Sequence, residues 1–166
     1  MKRVLILLLW MAAFGPAHAD DTHADRWSGT YALFPWDQDS QHFVDRAVDT
    51  LTIEKANDAD AARLPSMYGS DLSRWSLSSH ADEAHQKQSL RRFLADDETD
   101  EYREFRWSRL HAQGKIECID GGNFFICQTA PDRVVDVWDM KFRTTSGIFG
   151  VVLHGGLFEL RRTGMK

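Results

Sequence analysis

Apolar residues alternate with polar ones over short runs for most of this chain, a period of two that places successive side chains on opposite faces of a strand. Arg26 to Phe34 is rich in aromatic and β-favouring residues and predicts a first strand closed by Pro35, with Trp36 to Asp45 as a polar loop. Thr50 to Lys55 predicts a second strand, with Leu51 and Ile53 on one face. Residues 57–70, broken by Pro65 and Gly69, predict a loop, and Arg74 to Ser78 a short third strand. The period then changes. Ser79 to Gln113 holds no Gly or Pro, and its apolar residues fall at helical spacing: Leu90, Phe93 and Leu94, then Tyr102, Phe105 and Leu110. This predicts two helices divided near Asp96-Asp97, the second running from an acidic start (Asp100, Glu101) to a basic end capped by Gly114.

Strand character returns in KIECIDGGNFFICQT, Lys115 to Thr129. Its two cysteines, the only two in the chain, are symmetric about a point between Gly122 and Asn123, where a two-residue hairpin loop belongs. That loop pairs Gly121 with Phe124, Asp120 with Phe125, Ile119 with Ile126 and Cys118 with Cys127. Counted outwards, the cysteines fall on a non-hydrogen-bonded pair, whose Cα separation of about 4.5 Å suits a cross-strand disulfide. Further strands are predicted over Arg133 to Met140, over Lys141 to Leu153 with Gly147 and Gly150 bending it, and over Leu157 to Arg162 after a tight His154-Gly155-Gly156 turn. The expected architecture is α+β: an antiparallel sheet, curled or barrel-like, with one or two helices in the middle of the chain. The opening Trp27-Ser28-Gly29-Thr30-Tyr31 resembles the first strand of small lipocalin-like barrels, in which a Gly-x-Trp element plugs one end. Here tryptophan precedes glycine, and the likeness spans five residues.

The N-terminus changes the picture of where this domain works. Lys2 and Arg3, the apolar run Val4 to Phe14 and the Ala17-His18-Ala19 site have the three parts of a secretory signal, too short to span a bilayer. The expectation is cleavage after Ala19, a single globular domain over residues 20–166, and a periplasmic or secreted location with no membrane span after signal removal. An oxidising compartment in turn favours the Cys118–Cys127 bond over free thiols. The formal charge is −5, and losing Lys2 and Arg3 makes the chain more acidic still, which argues against nucleic-acid partners and favours cationic ones.

Catalytic signatures are not found. The seven histidines are scattered, and His80 and His85 miss the i, i+4 spacing of a helical metal pair. Asp136 with Asp139 and Glu101 with Glu104 are the acid–base pairs that could be nominated, and nothing in their spacing separates them from a solvated face. No serine sits in a Gly-x-Ser-x-Gly elbow, and Gly121-Gly122 and Gly155-Gly156 lack the Lys-Ser/Thr continuation of a phosphate loop. No cofactor or metal is implied. Six tryptophans, one of them Trp10 in the signal, exceed what a small core demands, and Trp36 in its polar loop is the best candidate for a site.

These features support a non-enzymatic binding protein, first of an inhibitor or immunity type that neutralises a cationic envelope hydrolase. Its contact residues would be the rigid hairpin tip Asp120, Gly121, Gly122 and Asn123, with Trp36 and His154. The alternative is a lipocalin-like cup for a small apolar ligand, and the third is a hydrolase with an unrecognised acid–base pair. A continuous apolar cavity would favour the cup, a flat acidic face the protein partner, and converging carboxylates the enzyme.

Overall fold

The computed structural model describes residues 25–57, 73–84 and 86–164. The signal segment, most of the predicted 57–70 loop and His85 lie outside the described residues. Among the described residues eleven strands follow one another: β1 (Gly29–Asp37), β2 (His42–Phe43), β3 (Asp49–Lys55), β4 (Arg74–Ser79), β5 (Gln88–Arg92), β6 (Glu117–Asp120), β7 (Phe124–Gln128), β8 (Arg133–Val137), β9 (Met140–Thr144), β10 (Ile148–Val152) and β11 (Gly156–Thr163). A 3₁₀ turn (Glu101–Arg103) and a five-residue helix, α1 (Ser108–Ala112), stand between β5 and β6.

Eight of the strands form one antiparallel meander in the order β1, β3, β4, β5, β6, β7, β10, β11, and β11 pairs back onto β1 over Thr30 to Pro35. The sheet is therefore a closed up-and-down barrel. Closure leaves no free edge among these eight strands, and an eight-stranded barrel has an interior just wide enough for side chains or one small ligand. β2 folds back on the end of β1, and β8–β9 is a separate hairpin inserted between β7 and β10.

Side-chain alternation divides the apolar residues into two cores, one on each side of the barrel wall. Tyr31, Ile53, Trp75, Leu90, Ile119, Ile126 and Leu160 belong to the inner one. Phe34, Phe125, Phe149 and the two cysteines belong to the outer one, covered by Val135, Val137 and Phe142 of the inserted hairpin and by Phe93, Tyr102 and Trp107. A wall covered on both faces needs apolar residues at every position, which is why Phe124–Gln128 and Ile148–Val152 are nearly unbroken apolar runs.

The β6–β7 register matches the sequence reading pair for pair: Cys118 opposite Cys127, Ile119 opposite Ile126, Asp120 opposite Phe125. The cysteines are bonded, with Cα atoms 4.1 Å apart. Other expectations are corrected. The α+β class gives way to a mostly antiparallel β-fold, because the first predicted helix is strand β5. Leu90 points into the barrel opposite Trp75, whereas Phe93, past the end of the strand, packs outside on Tyr102. Their spacing imitates a helix because the chain crosses from one core to the other. The second predicted helix shrinks to the 3₁₀ turn and α1, interrupted at Arg106, whose φ is 61°. Its glycine cap is as expected: Gly114 takes φ 64°, its N–H bonds to the carbonyl of His111, and that of Lys115 to the carbonyl of Leu110.

Pro35 does not close β1, which continues to Asp37. Proline lacks a donor, but its carbonyl still accepts from the N–H of Val44 at 2.9 Å. The two strands predicted over 133–140 and 141–153 are three, turning at Trp138-Asp139 and again at Thr145 to Gly147. The second turn is clamped by Glu159, a fully buried carboxylate on β11. One of its oxygens accepts from the N–H of Ser146 and the hydroxyl of Thr144, each at 2.9 Å, and the other from Arg161 at 2.7 Å.

Candidate functional site

One end of the barrel is closed by the residues that opened the first predicted strand. Trp27 meets Trp75 edge-on with ring centroids 6.3 Å apart, and the Tyr31 hydroxyl donates to the Trp27 carbonyl at 2.6 Å. Asp25 fixes this plug by accepting from the Trp75 indole N–H at 2.9 Å and from the N–H of Trp27 at 3.1 Å. Burial pushes the Asp25 carboxyl up, but the hydrogen bonds from Ser28, Trp75 and Trp27 outweigh it and hold its pKa below the ordinary value. From β11, Arg162 lies over the Tyr31 ring at 5.1 Å and donates to the carbonyls of Ser28 and Arg26. Residue 29 beside it is glycine, at φ 152°, and a Cβ there would stand 3.1 Å from the guanidinium, a tight contact.

Toward the opposite end the barrel is hollow. A cavity of about 690 Å³ is lined by Leu33, Leu51, Leu77, Phe124, Phe158 and Leu160, among others. Its volume lies within the ordinary range for small-molecule sites. The empty space has a cause in the sequence of β10, whose inward positions are Ile148, Gly150 and Val152. Gly150 contributes no side chain between Ile126 and Phe158, its partners on β7 and β11. The polar groups of the lining, Gln88, Ser89 and Asn123, are exposed and belong to the start of β5 and the tip of β6–β7.

Most of the contact residues named from sequence meet at this mouth. Gly121 and Asn123 line the cavity, and the Asn123 carbonyl accepts from the N–H of Leu153 at 2.8 Å, tying the β6–β7 tip to the β10–β11 tip where His154 lies exposed at φ 62°. Gly122 takes φ 87° in the two-residue loop, and its N–H bonds to the Asp120 carboxylate at 2.8 Å. Asp120 is not a free charge, since Arg91 bridges it to Glu101, both contacts at 2.7 Å. Trp36 is not part of the mouth. It belongs to β1 rather than a loop, faces outward, and packs edge-on against Phe43 at 5.1 Å and Phe142 at 6.1 Å. Sequence reasoning missed Gln88 and Ser89, which it assigned to a helix, and read Gly150 as a bend; the one signal available was a glycine interrupting an otherwise apolar run.

A second depression, about 680 Å³, lies outside the barrel between α1 and the β8–β9 hairpin. Trp138, half-exposed at φ 49°, covers part of it beside Phe105, and its rim carries Glu104, Arg106, Arg133, Asp139 and Lys141. Asp136 there pairs with Lys141 at 3.7 Å, and Glu101 of the other nominated carboxylate pair is bound to Arg91. Among the described residues no three His, Cys, Asp or Glu side chains converge as metal ligands, and no helix is long and apolar enough to cross a membrane. Comparison of the chain with protein-family models, with curated proteins and with solved structures finds no match.

Proposed function

We propose that this protein is a non-enzymatic binder that takes a small apolar ligand into the open end of its barrel. The observation that carries the reading is the cavity: about 690 Å³, apolar in its depth, polar only at its mouth, and plugged at the far end by Trp27, Tyr31 and Trp75. The inhibitor or immunity-type reading has less support, because the hairpin tip it relied on forms the rim of the cavity and Asp120 is tied into an ion-pair cluster with Arg91 and Glu101. The buried Cys118–Cys127 bond supports an oxidising location, periplasmic or extracellular, in agreement with the export signal expected at the N-terminus.

Gly150→Leu is the decisive variant. The backbone there does not need a positive φ, and a new Cβ would meet its nearest neighbours, the Leu160 side chain and the Phe125 carbonyl, at 3.4 Å. The leucine then projects into the cavity. Titration with the neutral, environment-sensitive dye N-phenyl-1-naphthylamine is expected to give saturable one-site binding to the wild type. Binding to Gly150→Leu should be weaker by about ten-fold or more at an unchanged thermal midpoint, since ten-fold is about 1.4 kcal/mol and a filled methylene site is worth a comparable amount. Absence of saturable binding, or equal binding by the folded variant, would overturn the reading.

A further inference from the structure

We infer that the ligand is an uncharged amphiphile, whose hydrocarbon body lies in the barrel and whose hydrogen-bonding head, an alcohol, ester, amide or ketone, rests at the mouth against Gln88 and Asn123. The inference rests on the cup reading and adds the chemical class of what the cup holds.

Three features of the mouth carry it. The cavity lining contains no charged side chain: its polar side chains are neutral, and the rest are apolar. A charged head drawn into such a lining loses its hydration without gaining a counter-ion, a far larger penalty than an uncharged head pays when the Gln88 and Asn123 amides can bond it. Gln88 is placed for that role, because it pairs with Leu77 and so shares the inward face of β5 with Leu90.

The charges nearest the mouth, second, do not welcome an anion. Asp49 pairs with Leu33 at the same end of the barrel, and its carboxylate is held there by the Ser79 hydroxyl at 2.5 Å and by the N–H groups of Thr50 and Ala81 at 2.6 and 2.9 Å. The segments that end at this mouth carry Asp45, Asp49, Asp82 and Glu83 against Arg46 and Lys87. Lys87, next to Gln88, is directed by strand alternation to the outer side, where it meets Glu54 at 2.9 Å.

Third, the carboxylates closest to the lining are already engaged. The Asp49 carboxylate already accepts three hydrogen bonds, and Asp120 is ion-paired with Arg91, which also holds Glu101. What remains unengaged in the cavity lining itself is neutral hydrogen-bonding capacity, and that selects a neutral head.

Displacement of N-phenyl-1-naphthylamine by three ligands with one tail tests this at neutral pH: dodecanol, dodecanoate and dodecylammonium. Dodecanol should bind tightest, each ion weaker by about ten-fold or more. Shortening the alcohol should weaken binding about four-fold per methylene, as burial of the tail requires. Gln88→Lys should shift the ranking toward dodecanoate, since it supplies at the mouth the counter-charge the wild type lacks. If either ion binds the wild type as tightly as dodecanol, the head-group inference is wrong while the cup stands. If the dye binds saturably and none of the three displaces it, the inference also fails. If the dye does not bind, both fall together.

Discussion

Glu159 shows how much a single residue can decide in this fold. It lies in a strand whose neighbours Leu157 and Leu160 are apolar, yet it is fully buried on the outer side of the barrel. Burial pushes its carboxyl up, but hydrogen bonds from the N–H of Ser146, from Arg161, and from Thr145 and Thr144 outweigh that and hold its pKa below the ordinary 4.5. A carboxylate depressed in the folded state contributes stability that is present above its unfolded value and is lost as the pH falls through the folded one. Glu159→Gln should therefore destabilise the protein by about 2–4 kcal/mol at pH 7, by leaving Arg161 and the 144–146 turn under-bonded. Urea unfolding of the two proteins should show this gap narrowing below about pH 4. A gap independent of pH would mean that shape, not charge, holds the turn. Tyr102 is the other buried titrating group of the outer core: burial lifts its hydroxyl to about 12, even as it accepts from the N–H of Cys118 at 3.0 Å.

At the scale of elements, the β6–β7 hairpin is the most locally determined part of the molecule. Gly122 and Asn123 select the turn, the turn selects the register, and the register brings two cysteines to a Cα separation of 4.1 Å. Reduction, or the paired change Cys118→Ala with Cys127→Ala, should lower stability by about 2–3 kcal/mol, the loop-closure value for a ring of about ten residues. The hairpin itself should survive, because its turn does not depend on the bond. Denaturant midpoints with and without reductant give the first quantity, and dye binding by the reduced protein the second, since Gly121 and Asn123 are part of the rim. A reduced protein equally stable and equally competent would show the staple to be redundant. The segment before the hairpin behaves in the opposite way. Leu90, Phe93, Tyr102 and Phe105 satisfy a helical template, but the barrel needs a strand to pair with β4 and a cover for its outer face, and those tertiary demands outweigh a weak local preference.

The proposed export belongs to the molecule as a whole, because a disulfide-bonded barrel is suited to an oxidising compartment. The mature chain should begin at Asp20, and intact mass of exported material checks it; a retained N-terminus or an added lipid would overturn the proposed location. Closure of the meander also makes the Gly150 and head-group experiments interpretable, since a leucine or lysine added inside the mouth changes the cavity without touching the strand pairing that holds the wall.

The sequence by itself determined the features that depend on neighbours close along the chain. These are the hairpin register and its disulfide, the glycine cap at Gly114, and the alternation in β11 that sets Phe158, Leu160 and Arg162 inward and Leu157, Glu159 and Arg161 outward. Each is fixed by φ preferences or by a period of two, which act over a few residues. Only the tertiary structure decided that the sheet closes, because the β1–β11 pairing joins the two ends of the chain and has no local signature. It likewise decided that Trp36 is covered and Asp120 paired, since Phe142 and Arg91 come from remote elements. The cavity is the clearest case. A glycine in an apolar strand is equally a bend or a void in the sequence, and it becomes part of a cavity only when seven other strands stand around it with Trp27 and Trp75 closing one end.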